Sequence, residues 1–253
     1  MISIIVIGSG NVAQHLIKII NKTADLQLVQ VFARNTEEII LLINNDLIIS
    51  NYNEIKNADL YIIAVLDDAI EMVSEKLPFK NKLVIHTSGS ISIDILNSKN
   101  RKGVFYPLQT FSKNKEVDFT EIPICLEAEN ENDYKILEDF SKSISNKVYK
   151  INSVQRKAIH VSAVFVCNFV NHMYVLGNEI CQENQIPFDI LKPLIKETAS
   201  KIEILSPIEA QTGPAKREDI STINKHLNFL KNENQKDIYK TITKSIIDHG
   251  KKL

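Results

Sequence analysis

The residues Gly8-Ser9-Gly10-Asn11-Val12-Ala13 stand directly after the apolar run Ile2–Ile7 and open a segment of helical periodicity. In such a turn the first glycine permits a sharp reversal, and the second lets the backbone approach an anion with no Cβ in the way. Small Ala13 takes the place of a third glycine where helix packs on strand. The start of the helix then offers free N–H groups and the positive end of its dipole. The chemistry this predicts is capture of a pyrophosphate, with Gly8, Ser9, Gly10, Asn11 and Val12 as the cradle. Only seven glycines occur in 253 residues, so a pair in this one loop carries weight.

The next strand discriminates between nucleotides. Units that bind NAD end this strand in Asp or Glu, whose carboxylate accepts from the ribose hydroxyls. Here Val29-Gln30-Val31-Phe32-Ala33 runs into Arg34-Asn35-Thr36, with no acid at the tip. A guanidinium at that place suits the 2′-phosphate of NADP, and a charge-assisted hydrogen bond contributes roughly 1.5–3 kcal/mol. The expected cofactor is therefore NADP(H), with Arg34 and Asn35 at its ribose. A solvated turn residue is the competing reading of Arg34. Glu37 and Glu38 are expected in the first turn of the following helix, where acids suit the dipole.

Two loops should stand at the carboxyl ends of central strands, where open α/β sheets bind ligands. The first is Val65-Leu66-Asp67-Asp68, with Val65 and Leu66 expected against the cofactor. The second is His86-Thr87-Ser88-Gly89-Ser90. His86 has an ordinary pKa suited to proton transfer near neutrality, and Ser88 can hydrogen-bond a carbonyl or carboxylate. The bland alternative is a capping turn with His86 packed at a strand end. Tyr106, at the end of a later strand and followed by Pro107-Leu108-Gln109-Thr110-Phe111, reads either as a proton donor or as filling for the core edge. Further on, His160, Val164, Asn168 and His172 recur at intervals of four, with Asn171 beside them, and form a polar stripe on an apolar helix. Buried amides and imidazoles need partners, so the stripe reads as a substrate-facing wall or an internal network. Ser88, His86, Asn168 and His160 are thus the candidate catalytic residues. No metal site is expected, since His160 and His172 are three turns apart and Cys125, Cys167 and Cys181 lack the spacing of a zinc ligand set. All three cysteines read as reduced core residues. Lys216 and Arg217, after the Gly213-Pro214 turn, either reach an anionic ligand or belong to a solvated loop with Asp219 as helix cap.

The elements that must hold these residues follow from periodicity. Strands are predicted at Ile2–Ile7, Gln27–Ala33, Leu60–Val65, Lys82–His86, Gly103–Tyr106, Ile122–Leu126 and Lys147–Ile151, with helices between most of them. Such alternation predicts an α/β fold with a doubly wound, Rossmann-type parallel sheet. After Asn152 the strand signal stops, and three or four helical segments follow, with turns near Gln185–Pro187, Ser206–Pro214 and Lys231–Asn234. The expected division is a nucleotide-binding domain over residues 1–151 and an all-α domain over 152–253. The first helix of the second part, roughly Ser153 to Glu183, would be about 45 Å long, the spine of a domain or of a dimer interface.

Composition excludes other classes. Thirty basic against thirty-one acidic residues give a net charge of −1, which provides no footprint for nucleic acid or an anionic membrane. Hydrophobic residues at 44% and charged residues at 24% suit a soluble globular chain. No run of about eighteen consecutive apolar residues occurs, and Asn168, Asn171 and His172 interrupt the most apolar stretch. A cytoplasmic protein with no nucleic-acid or membrane partner is expected.

The loop at Gly8–Ala13, the basic end of the second strand, the Ala64–Asp68 turn and the long helix resemble the superfamily of pyrroline-5-carboxylate reductase, 6-phosphogluconate dehydrogenase and deazaflavin-dependent NADP oxidoreductases. More closely, His86-Thr87-Ser88-Gly89-Ser90, Tyr106-Pro107-Leu108-Gln109, the Arg156–Asn168 helix and Gly213-Pro214 with Arg217-Asp219 resemble a bacterial family that joins a Rossmann-like NADP-binding domain to a helical domain of unknown function. Nearly the whole chain is covered. That family commonly has His-Pro where this chain has Tyr106-Pro107, a motif also similar to one in prephenate dehydrogenases. The resemblance implies an oxidoreductase, a homodimer through the C-terminal helices, and an active site between the two halves. The expected activity is NADP-dependent hydride transfer to or from a small carbonyl, imine or hydroxy substrate. A non-catalytic NADP(H)-binding sensor is the alternative from another class.

Overall fold

The structure is a computed structural model and describes residues 1–113 and 115–251. Two compact units divide at Cys167/Asn168. The first holds strands β1 (Ile2–Ile7), β2 (Leu26–Phe32), β3 (Ile48–Ile49), β4 (Leu60–Ile63), β5 (Leu83–His86), β6 (Arg101–Pro107), β7 (Ile124–Ala128) and β8 (Val148–Lys150). They form one sheet in the order β3-β2-β1-β4-β5-β6-β7-β8.

β1, β4 and β5 read as nearly unbroken aliphatic runs because both faces of the sheet are covered. Successive residues alternate between two cores. Ile4, Val6, Ile62 and Ile85 face one side, with Leu16 and Ile17 of α1 (Asn11–Lys22) and with Leu137 and Phe140. Ile5, Ile7, Ile63 and Val84 face the other, with Ile70 and Val73 of α2 (Ile70–Glu75). Leu137 and Phe140 belong to α3 (Glu131–Lys142), which Asn130 caps by accepting from Asp133 N–H at 2.9 Å.

All seven predicted strands are present. The short β3 pairs with β2 through Val31 and Phe32, a partnership that two residues, Ile48 and Ile49, could not announce. Two expectations need correction. Glu37 and Glu38 do not open a helix: residues 37–42 form successive turns, with Thr36 and Ile39 accepting from amides three and four residues on. The sheet is also parallel only from β3 to β6, for β7 runs antiparallel to β6 while β8 is parallel to β7. A parallel return needs a long, usually helical crossover. Among the described residues between β6 and β7 there is only a three-residue helical turn, Phe119–Glu121.

A capping box between Asn152 and Gln155 starts α4 (Ser153–Ala163). The helix continues without a break through a π-helical stretch, Val164–Phe169, into α5 (Val170–Glu183). The change from strands to helices coincides with residue 152, while the first compact unit runs on to Cys167 because Arg156 and His160 are bonded to side chains of the sheet. The second unit also contains α6 (Lys192–Lys201), α7 (Pro207–Ala210), α8 (Ile220–Phe229) and α9 (Glu233–Gly250). Asp219 caps α8, accepting from Thr222 N–H at 3.0 Å. Together α5, α8 and α9 line an apolar cavity of about 490 Å3.

Within Ser153–Glu183 an eighteen-residue window has a mean hydropathy of 1.4, and none of it is buried. By length and composition this helix is apolar enough to cross a membrane. Cys167 lies on it and is exposed, unlike the buried Cys125 and Cys181, so only two of the three cysteines are core residues.

Candidate functional site

Gly8 has φ +135°, and a Cβ there would stand 2.1 Å from the Ala64 carbonyl oxygen. Its N–H donates to Phe32 O at 2.9 Å, so the turn is pinned where β1 passes between β2 and β4. Gly10 differs. Its φ is an ordinary −71°, and a Cβ would meet nothing within 4 Å. The fold therefore does not require glycine at position 10; the missing side chain leaves open space at the start of α1. That helix has no side-chain cap and no acid in its first turn, which leaves its N–H groups and dipole free for an anion. The cradle thus fits a dinucleotide pyrophosphate.

The space opens into a cleft of about 800 Å3, within the range of about 300–1,000 Å3 usual for small-molecule and cofactor sites. The five residues from Gly8 to Val12 line it, with Arg34 and Asn35 beyond β2 and Val65 and Leu66 beyond β4, so the structure brings all nine predicted cofactor residues to one cleft. Arg34 is exposed, and among the described residues no carboxylate forms an ion pair with it. It stands close enough to Tyr52 for its charge to oppose the upward shift that burial imposes on the phenol. Asn35 Oδ1 accepts from Glu37 N–H at 3.1 Å. Glu38 is occupied elsewhere, bonded to Lys113 and accepting from Gln14 Nε2 at 2.6 Å. Those two bonds, Lys113 first, hold its carboxyl below the usual range.

Tyr52, Lys76 and Thr87 also line the cleft, as do Gln109 and Phe111 from the segment after β6. Asn11 Nδ2 donates to Phe111 O at 3.1 Å, and the His15 ring packs against Phe111 with centroids 4.9 Å apart. Sequence reasoning singled out the Tyr106–Phe111 segment but missed Tyr52 and Lys76, whose approach depends on the β2–β3 pairing and on how α2 lies.

The predicted catalytic residues are placed differently. His86 is fully buried, and its Nδ1 accepts from Ser88 N–H at 3.1 Å. Burial first, and then the Arg156 guanidinium, push its pKa down to about 3, against a small opposing effect of the Ser92 backbone. A neutral imidazole accepting at Nδ1 carries its hydrogen on the buried Nε2. Expected as a proton-transfer residue, His86 lies beneath the loop with its Nδ1 on the Ser88 amide. Ser88 is nearly buried, and its Oγ accepts from Ser90 and Ile91 N–H, both at 3.1 Å. Its hydroxyl hydrogen is still available to donate.

His160 reaches this loop from α4. Its Nδ1 is 3.0 Å from the Tyr106 hydroxyl, and Gly89 packs against both rings. Burial foremost pushes the Tyr106 phenol up to about 12, with Cys125, Cys167 and Asp67 adding to the shift and Arg156 opposing it. Below them Arg156, 1% exposed, binds Glu127, Ile91 O and Ser153 Oγ. Asn168 is exposed in the π-helical stretch and is the first residue of the second unit. Among the described residues no group of three or more His, Cys, Asp or Glu side chains could hold a metal ion.

A search of curated protein sequences finds no match. A protein of Bacteroides fragilis, proposed to be an NADP oxidoreductase, is similar at 38% identity over 98% of both chains, with a TM-score of 0.89. The pyrroline carboxylate reductase of Plasmodium falciparum with NADP bound has 15% identity and a TM-score of 0.62, covering 99% of this chain and 97% of its own. An NAD-bound semialdehyde dehydrogenase NAD-binding protein of Cupriavidus necator has 14% identity and a TM-score of 0.64, covering 100% and 99%. At such identities the likeness of the last two extends to the fold, a Rossmann-type sheet followed by helices. Residues 122–246 match the family described as a domain of unknown function, DUF2520. With that match, and with a relative 38% identical from end to end, the chain belongs to the DUF2520 family of Rossmann-fold, oxidoreductase-like proteins.

Proposed function

We propose that this protein is an NADP(H)-dependent oxidoreductase acting on a small carbonyl, imine or hydroxy compound. The observation that carries the reading is the cleft at the start of α1, open where a Cβ of Gly10 would project and bordered by Arg34, which among the described residues pairs with no carboxylate. The bound dinucleotide would supply or accept a hydride; the protein supplies position and a proton. Gly8 to Val12 cradle the pyrophosphate, Arg34 and Asn35 hold the 2′-phosphate, and Val65 and Leu66 pack along the cofactor. Ser88, His160 and Asn168 face the substrate, with His86 holding the Ser88 loop in shape. The protein works in the cytoplasm as a homodimer joined through its C-terminal helices.

Calorimetric titration with NADPH and with NADH tests this directly. NADPH is expected to bind more tightly than NADH, and Arg34→Ala to weaken NADPH about ten-fold or more while leaving NADH little changed. Failure of wild-type protein to bind either nucleotide would sink the proposal.

A further inference from the structure

We infer that His160 Nε2 is the atom that exchanges the proton with substrate, and that Tyr106 is the positioning residue that aims it. The inference rests on the oxidoreductase reading above and adds to it the identity of the acid.

The argument begins at Gly89. Its backbone is not in a conformation that demands glycine, yet a Cβ there would lie 2.6 Å from His160 Nδ1 and 2.7 Å from Tyr106 Cζ. What the missing side chain provides is room for two rings against the loop after β5. The rings meet edge to face, with centroids 5.9 Å apart, and the hydroxyl lies 3.0 Å from Nδ1. The phenol, pushed up to about 12, keeps its hydrogen through neutrality and serves as a hydrogen-bond partner, not as the acid itself.

One edge of the imidazole is thereby committed to Tyr106 and Gly89, and the other edge carries Nε2. When the imidazole is neutral, the Tyr106 O–H donates to Nδ1 and Nε2 holds the ring's hydrogen. When it is protonated, Nδ1–H donates to the phenol oxygen and Nε2 is again a donor. In both of these states Nε2 carries a hydrogen, and once that proton is given up the neutral Nδ1–H tautomer, donating to the Tyr106 oxygen, remains. His160 is only half-buried. Thr87 lines the cleft, and Gly89, two residues on, lies at most about 7 Å further along the chain. The groups close to the pair are Cys125, Cys167, Asp67 and Arg156. Arg156 is already bonded to Glu127, which leaves the imidazole, whose two ring nitrogens can each hold a hydrogen, as the acid–base group of this cluster.

In the reducing direction a bound NADPH would supply hydride to the carbonyl carbon, the C=O π pair would move to oxygen, and the task left to the protein is to protonate that oxygen. That oxygen takes the Nε2 proton of the His160 imidazolium. The imidazole left behind keeps its Nδ1–H on Tyr106 and is reprotonated by water.

The test is long-range 1H–15N spectroscopy of 15N-histidine-labelled protein, with NADPH as the probe and NADPH fluorescence giving its affinity. His160→Gln identifies the His160 resonances. Adding NADPH is expected to shift the His160 Nε2 resonance, with cross-peaks from the imidazole protons to the nicotinamide. Tyr106→Phe is expected to move the Nδ1 resonance and redistribute the two neutral tautomers, a signature that a purely packing role would not change. NADPH binding that leaves His160 unmoved, or an Nδ1 resonance indifferent to Tyr106→Phe, overturns the inference while the cofactor reading stands. Absence of NADPH binding in folded wild-type protein overturns both.

Discussion

His86, a candidate for proton transfer in the sequence, is held neutral by its surroundings in the fold. Fully buried under its own loop, it stays neutral in the folded protein down to a pKa of about 3. In the unfolded chain the same imidazole takes up a proton near pH 6.5. Between those values the unfolded state binds one more proton than the folded state, so stability is complete above about pH 6.5 and falls as pH drops toward 3. From pH 7 to pH 5.5 this one group is expected to remove about 1 kcal/mol. Urea unfolding at the two pH values checks it: His86→Gln should lose less stability over that interval than the wild type. A variant whose loss equals the wild type's would show that the imidazole is protonated in the fold.

At the scale of elements, the loop after β5 is stapled from below by α4 and β7. Ser153 N–H and Oγ donate to the Glu127 carboxylate at 3.0 and 2.8 Å, Ile93 N–H donates to Ser153 Oγ at 3.2 Å, and Arg156 spans Glu127 and Ile91 O. Three elements thus share one charge pair, with Arg156 buried and Glu127 mostly so. Removing one member of such a pair strands the other and costs about 3–5 kcal/mol, whereas removing both costs less. Arg156→Met is therefore expected to destabilise the first unit by roughly 3 kcal/mol, and Arg156→Met with Glu127→Gln by less. A double-mutant cycle by chemical denaturation measures the coupling. Additive losses would mean that the pair does not act as a unit.

At the scale of the whole molecule, the exposed apolar length of Ser153–Glu183 demands a cover. Asn168, Asn171 and His172 interrupt it, and imidazoles in the middle of a lipid-facing helix are costly and rare. A second copy of the chain meets the requirement at lower cost, because polar groups on one helix can pair with those on another. Sedimentation analysis is expected to give a mass twice the 28.7 kDa of one chain without detergent. Val161→Asp with Val166→Asp, two exposed positions on this helix, should shift the equilibrium to monomers. A wild type that sediments as a monomer, or that needs detergent to stay in solution, would contradict the homodimer.

The amino-acid sequence by itself determined the parts whose cause is local. Gly8 and Gly10 behind an aliphatic run, seven stretches of β-branched residues, and the loss of strand periodicity after residue 152 were all legible, because backbone freedom and burial on two faces act within a few residues. The nine residues around the cleft follow from those, since each lies where a parallel strand ends. Tertiary structure alone decided the rest. The antiparallel β7, the two-residue β3 and the approach of Tyr52 depend on pairing between distant segments. The roles within the second loop also depend on it. His86 and Ser88 are two residues apart and read alike as candidates, yet burial and the Arg156 charge made one a neutral brace, while Gly89 gave His160, seventy-one positions later, a place beside Tyr106. A side chain's desolvation and its partner across the fold are sums over three-dimensional neighbours, and no local pattern carries them.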